Sequence, residues 1–301
     1  MATDELGILV ARERQRPRWA TWSREVWKFV RTKPLGAIGG FFVLALLIMA
    51  AFAPLIAPYH YDDQVYTETL QGPSLDHFFG TDDLGRDLFS RVVYGARISV
   101  IVGFGSVAIA MAFATLIGML SGYYGGVIDT AAQRLVEIAQ AFPALILLIS
   151  IIAIIGQGTG QITLALGFLF AVGASRVIRG AVLGIKNNVY FEAARCVGAS
   201  DVRIMLRYVL PNIAATIIVL ATVYLGAIIL VEASLSFLGY GIPPPYPSWG
   251  RMLNGIARSY IIDNPWMGLW PGLFISLAVF GFNMLGDALR DVLDPRLRGT
   301  S

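Results

Sequence analysis

IAQAFPALILLISIIAIIGQGTGQITLALGFLFAVGAS, residues 138–175, runs for 38 residues without one charged side chain. A helix needs about 20 apolar residues to cross roughly 30 Å of hydrocarbon, so this stretch is too long for one crossing and long enough for two. Gly156-Gln157-Gly158-Thr159-Gly160-Gln161 interrupts it with turn-forming residues and predicts a tight loop between two spans. Uncharged runs recur on either side, at Leu35–Ala57, Ile98–Gly122, Tyr208–Val231 and Asn264–Gly286. The expected fold is therefore all-α, a polytopic membrane protein with six transmembrane helices. Pro143, Pro211 and Pro271 lie inside or at the ends of spans, where neighbouring helices satisfy the freed carbonyls.

Composition agrees with this pattern. The 301 residues are 56% hydrophobic and 14% charged, against about 25% charged in soluble domains. Six spans put both termini on one side. With the N-terminus cytoplasmic, 18 of the 23 Lys and Arg fall on inner segments, as the positive-inside rule requires. Seven Asp and Glu fall in the first outer loop. Both termini are expected in the cytoplasm, and this topology accounts for the net charge of +3 without a nucleic-acid partner. Cys196 is the single cysteine, so no intrachain disulfide can form. No secretory signal pattern opens the chain.

The expected organisation is an N-terminal segment at 1–34, a six-helix membrane domain at 35–290 and a cytoplasmic tail at 291–301. Outer loops are expected at 58–97 and 237–263, and an inner loop at 176–207. In the first segment Trp19, Trp22, Trp27 and Phe29 alternate with Arg18, Arg24, Lys28 and Arg31. That pattern suits a helix lying on anionic membrane lipid, or a plain positive flank that orients the first span.

The inner loop is too polar for lipid and too patterned for a loose linker. Tyr190–Val197 favours helix, and Gly198 supplies a left-handed stop. Ser200 is placed to cap a second helix with Asp201 at its positive end. There Val202, Met205, Leu206 and Val209 recur at i, i+3, i+4 and i+7, predicting one apolar face before Leu210-Pro211 enters the next span. The whole reads as a short knob on the cytoplasmic side.

Glu192-Ala193-Ala194, then Gly198 after three intervening residues, then Leu210-Pro211 after eleven more, resembles the E-A-A signature of ABC importer permeases. Three further segments resemble the C-type permeases of dipeptide, oligopeptide and nickel importers: Phe79–Asp87 continuing to Tyr94–Ser99, Glu232–Gly241 with Pro244, Pro245, Trp249 and Gly250, and Gly286–Arg296. Together they cover most of residues 78–298. The resemblance implies a type I importer fold in the cytoplasmic (inner) membrane of a prokaryote. It implies a coupling helix that docks in a cleft of the ATP-binding subunit, with Glu192, Ala193 and Ala194 at the contact, Gly198 making the turn, and Asp201, Leu210 and Pro211 completing the element. On the outer side it points to Gly80, Asp82, Gly85, Arg86, Asp87, Glu232 and Trp249. The implied partners are a second homologous permease, forming a heterodimer, two ATP-binding subunits and an extracytoplasmic substrate-binding protein. No cofactor is expected on this chain; ATP and magnesium belong to the partner ATPases. Di- or oligopeptides are the leading cargo, with nickel, glutathione and oligosaccharides as alternatives.

Other chemistries fit poorly. Asp82, Asp83 and Asp87 lack the ligand alternation of a calcium loop, and a turn capping the second span is simpler. His60 and His77 lack further ligands at metal-site spacing and read as solvated loop residues. Glu232, at the outer end of its span, reads either as a functional carboxylate or as one held structurally at a helix end. Arg134 and Glu137 are expected to pair locally. The sequence contains no Walker glycine loop and no metalloprotease or nucleophile-elbow motif, so catalytic residues are not expected. A secondary transporter would place charge at mid-span, and an intramembrane hydrolase would need a nucleophile with its base. Neither has a use for a docking knob.

Overall fold

The computed structural model describes Trp27, residues 29–254, Ser259, Tyr260 and residues 262–293. Among these residues the secondary structure is helical apart from one isolated bridge, Thr81 to Asp87. The helices are α1 (Pro34–Ala51), α2 (Leu88–Tyr124), α3 (Gly126–Gln140), α4 (Ala144–Ile155), α5 (Thr159–Ile185), α6 (Val189–Cys196), α7 (Asp201–Ile204), α8 (Leu210–Phe237), α9 (Trp249–Met252) and α10 (Trp266–Leu293). α7 runs through a widened turn, Met205–Val209, into α8. Five helical runs are long and apolar enough to cross a membrane: α1, α2, α5, the Asp201–Phe237 run and α10. A sixth appears only if α3 and α4 count as one span, and they are bent by 88°.

That bend corrects the expected third span. The uncharged run starting at Ile138 predicts one helix, but Pro143 has no N–H to return to the Ala139 carbonyl, and helix gives way at Ala141–Pro143. α4 has 12 residues, or about 18 Å, too short to span alone. The expected end of the first span moves for the same reason. α1 stops at Ala51 and one separate turn follows at Ala53–Ile56, because Pro54 cannot bond the Ala50 carbonyl. α2, in contrast, begins ten residues before Ile98. Arg91 and Arg97 made the sequence window look polar, yet Arg91 is buried and donates from Nη1 to the Tyr61 carbonyl at 2.8 Å. Of the N-terminal aromatic segment, Trp27 is exposed beneath the Arg31 guanidinium at 5.4 Å, while Trp19, Trp22, Arg18, Arg24 and Lys28 lie outside the described residues.

Small residues set the packing. Lipid gives no hydrophobic drive between helices, so close backbone approach supplies the contact energy. α2 and α5 form the most extensive helix pair. Gly118 and Gly122 lie one turn apart on α2, and a Cβ at Gly118 would sit 2.7 Å from the Ser175 carbonyl oxygen. One at Gly122 would sit 2.9 Å from Val182 Cβ. α1 lies as closely on α10, where a Cβ at Gly39 would come within 2.7 Å of the Gly281 carbonyl. Lys33 and Asp291 pair at 2.5 Å where these two helices end. Replacing Gly118 with Leu pushes α2 off α5, and overpacking of this kind costs about 1–3 kcal/mol. The expected result is a lower melting temperature of the detergent-solubilised chain by tryptophan fluorescence. Gly180→Leu on α5, where a Cβ meets nothing within 4 Å, should melt like the parent.

Candidate functional site

Two clusters stand at opposite ends of the long helices. At one end α6 and α7 form the knob. α6 ends at Cys196 with Val197 as its C-cap, and Gly198 turns the chain with φ +78°, a left-handed conformation that glycine enters without penalty. The Ala199 N–H then bonds the Ala194 carbonyl at 3.0 Å, closing the helix end. Ser200 accepts the Arg203 N–H and caps α7. The knob is fastened to α2 through Tyr123, whose hydroxyl donates to Asp201 at 2.6 Å while the Arg195 guanidinium stands 5.4 Å from its ring centre. Ala194 is buried against this base, whereas Glu192, Ala193 and Gly198 face outward.

The predicted apolar stripe on the second helix divides. Met205 and Val209 are buried, together with Ile204, but Val202 and Leu206 are 60% and 58% exposed. The buried side is narrower than the stripe and is centred on Ile204, Met205 and Val209. In the turn Met205–Val209 the Leu210 N–H reaches back five residues to the Met205 carbonyl, and this wider turn accommodates Pro211, which has no N–H of its own. Val202 and Leu206 join Val189 and Val197 as exposed apolar side chains of the knob.

Below the knob, Arg179 grips Asp129 with two parallel bonds, Nε to Oδ1 and Nη2 to Oδ2, both 2.5 Å. The Ser121 hydroxyl also donates to Asp129, so α2, α3 and α5 meet at one carboxylate. Arg134 and Glu137 pair at 2.8 Å as expected, and Arg176 joins them at 3.7 Å.

At the other end, residues 65–87 form an ordered cap. Asp82 is buried and accepts the N–H groups of Leu84 and Arg86 at 2.9 and 3.0 Å and Arg86 Nε at 2.8 Å, with Arg91 3.6 Å away. Gly85, at φ +71°, passes so close to Val65 that a Cβ would lie 2.0 Å from its carbonyl oxygen. Gly80, at φ +78°, sits against Gln71 and Trp266. Asp87 caps α2, accepting the Ser90 N–H at 2.7 Å. Its other oxygen lies 2.9 Å from His77 Nδ1, and His77 Nε2 lies 3.2 Å from Glu68. His77 is thus buried between two carboxylates and is not the solvated loop residue its composition suggested; His60 is exposed.

Glu232 and Trp249 tie the loop at 237–263 to the bundle. Trp249 is buried and donates from Nε1 to the Val92 carbonyl at 2.9 Å, and Gly95 leaves room for its ring. Glu232 is 1% exposed, and Ser236 donates to its Oε1 at 2.7 Å. His77, which the sequence reading took as solvated, and Tyr123, which it passed over, thus help to hold the two clusters. Nothing in their local sequence marks them, because their partners lie 9, 10 and 78 residues away. Among the described residues no group of three or more His, Cys, Asp or Glu is placed to hold a metal ion.

With this geometry in place, the chain can be compared with known proteins. Residues 114–299 match the family model for the binding-protein-dependent transport system inner membrane component, and residues 21–73 match the N-terminal transmembrane domain of oligopeptide transport permease C. The chain is 41% identical over 275 residues to the dipeptide transport system permease protein DppC of Alkalihalophilus pseudofirmus, covering 91% of this chain and 90% of that one. It is also 41% identical over 292 residues to the glutathione transport system permease protein GsiD of Escherichia coli, covering 97% and 95%. Its fold resembles a chain of the inward-facing MetNI methionine ABC transporter, with TM-score 0.56 and 19% identity, over 68% of this chain and 96% of that one.

Histidine 77 makes the cap at 65–87 respond to pH. Burial pushes its pKa down, but the hydrogen bonds its ring donates to the Asp87 and Glu68 carboxylates more than offset this and hold it above the ordinary value. The folded cap therefore favours the imidazolium. Its contribution to stability is fully present below about pH 6.5 and is lost as pH rises through the raised pKa. Hydrogen exchange of amides 68–90 should speed up across that window in the parent and lose the dependence in His77→Ala. Asp87→Ala removes both the His77 partner and the helix cap, the cap alone being worth about 1 kcal/mol, and should open the segment at every pH.

Proposed function

We propose a transport cycle for this chain from one premise: it belongs to the family of binding-protein-dependent transport system inner membrane components. As a member, it is a multi-pass permease subunit of an ABC importer in the inner membrane of a prokaryote, a non-enzymatic subunit. Its cargo is a di- or oligopeptide. Relatives at 41% identity carry dipeptide and glutathione transport in their names, and both cargoes are short peptides.

The knob is the coupling element, and both chain termini lie on its side of the membrane, in the cytoplasm. Two ATP-binding subunits, carrying ATP and magnesium, drive the cycle, and one of them receives α6 in a cleft. A second, homologous permease completes the passage, and an extracytoplasmic binding protein delivers the peptide to the loops at 58–97 and 237–263. The single observation that carries this reading is the form of the knob. Glu192 and the small Ala193 face outward on a short helix whose other side holds the buried Ala194 and sets Arg195 against the ring of Tyr123 on a membrane-spanning helix. An outward face with small side chains admits close approach of a partner, and a fastened inner face passes the partner's motion on. Docking has to favour one permease conformation over the other, since equal affinity for both would shift nothing.

Glu192→Lys reverses the charge on the docking face, and Gly198→Val forces a β-branched residue into the left-handed turn at a cost of about 1–2 kcal/mol. Both are expected to abolish peptide uptake in whole cells while leaving membrane insertion and chain abundance unchanged. Gly198→Asn, which tolerates the same backbone conformation, should keep most of the uptake. Parental uptake in the first two variants would remove the coupling assignment.

A further inference from the structure

The break between α3 and α4 has a consequence that neither the knob nor the outer cap uses. Ala141, Phe142 and Pro143 are non-helical and exposed on the surface of this chain. Within a bilayer, backbone of this kind is tolerated only where protein covers it or water reaches it, because hydrocarbon satisfies no polar group. Beside the break lies a cavity of about 480 Å³, walled by Gln140, Phe142, Leu145, Phe170, Gly173 and Tyr224 among others. Gly173 and Tyr224 fall within a residue of the midpoints of α5 and α8.

Two polar groups converge there. A Cβ built on Gly173 would lie 3.4 Å from the Tyr224 hydroxyl and 3.9 Å from Gln140 Nε2. The missing side chain is what leaves space between them. Phe170 packs edge-on against the Tyr224 ring at 5.1 Å and holds it at this angle. No residue lining the cavity carries a formal charge. One turn along the same helices, three residues from Gln140 and from Gly173, come Glu137 and Arg176, half exposed and 3.7 Å apart. A wall that continues into exposed charges does not face lipid tails.

We propose that this cavity is the chain's wall of the substrate passage, where Tyr224 and Gln140 exchange hydrogen bonds with the uncharged amide groups of a peptide. The inference rests on the importer reading for its cargo, but not for the presence of water. A phenol hydroxyl and a carboxamide both donate and accept, so they match a peptide bond in either orientation. With no fixed charge on the wall, peptides of either net charge pass without an electrostatic penalty, and the group recognised is the one all peptides share.

The test uses the full chain in its native membrane, with the lone native thiol removed by Cys196→Ser and single cysteines placed by Gly173→Cys or Leu164→Cys. Leu164 is exposed nine residues earlier on α5, about half a turn round the helix at 3.6 residues per turn. A membrane-impermeant sulfonated methanethiosulfonate reacts with the thiolate, which forms only in water. Expected is modification at position 173 at least tenfold faster than at 164, slowed by excess dipeptide. Tyr224→Phe, which keeps the ring and removes the hydroxyl, should lower dipeptide uptake several-fold at unchanged abundance. Equal reactivity at 173 and 164 would overturn the passage, as would parental uptake in Tyr224→Phe. Failure of the importer reading looks different: position 173 would still react, but dipeptide would not protect it and the parent would show no dipeptide uptake.

Discussion

Hydrocarbon offers no hydrogen bonds, and most of this architecture follows from that one constraint. Each long helix closes its own backbone bonds, so charge, proline and irregular backbone are confined to places where protein or water compensates. Arg91 enters the first turn of α2 only because the Tyr61 carbonyl and Asp82 meet it. Pro211 follows the widened turn at Met205–Val209, where the bonding has already shifted to a five-residue reach. Pro143 has no such compensation, and there the helix breaks outright. The break lies beside the two polar side chains that approach Gly173, so the fault in the backbone and the polar lining of the cavity are one feature.

The same constraint explains why glycine rather than leucine decides the packing. A large apolar side chain gains nothing by leaving lipid for another helix, but two backbones in van der Waals contact gain dispersion energy along their whole length. α2 and α5 meet through Gly118 and Gly122, and α1 and α10 through Gly36 and Gly39. The outer cap solves a different problem, because water is available and backbone groups are not at risk. It is ordered by carboxylates that accept from several donors at once, Asp82 from two N–H groups and an arginine, Asp87 from a helix N-terminus and a histidine.

How much of this the sequence announced depends on the range over which each interaction acts. The knob was legible because its parts are local: Glu192, Gly198, Ser200 and Asp201 lie within ten residues, with Gly198 making the left-handed turn and Ser200 capping the helix that follows. The spans were legible as uncharged runs, yet their limits were not. Hydropathy windows average over a single proline, which hid the break at Pro143, and they count Arg91 as polar although its charge is compensated by residues 9 and 30 positions away. His77 was read as solvated for the same reason, since only the fold brings Asp87 and Glu68 to its ring. The stripe through Val202 and Leu206 failed because periodicity gives which residues share a face and not which part of that face the bundle covers: Ile204, Met205 and Val209 are buried while Val202 and Leu206 are exposed.

Two helical runs connect the features into one mechanical object. α2 begins at the outer cap, with Asp87 at its N-terminus, and ends at Tyr123 on the knob. The Asp201–Phe237 run begins at the knob, carries Tyr224 at the cavity and ends past Glu232, beside the second outer loop. Each is 37 residues long, or about 55 Å at 1.5 Å per residue, and the Tyr123–Asp201 bond joins them at the knob. A displacement at α6 therefore acts on both runs at once. Glycine contacts leave α2 little freedom against α5, whereas the second run contains a widened turn close after its fastening point. Interrupted turns of this sort mark where helices bend. In the coupling reading, motion entering at Asp201 is taken up at Met205–Val209 and reaches Tyr224 as a change in the angle of α8, which is the change that opens or closes a cavity built across α5 and α8.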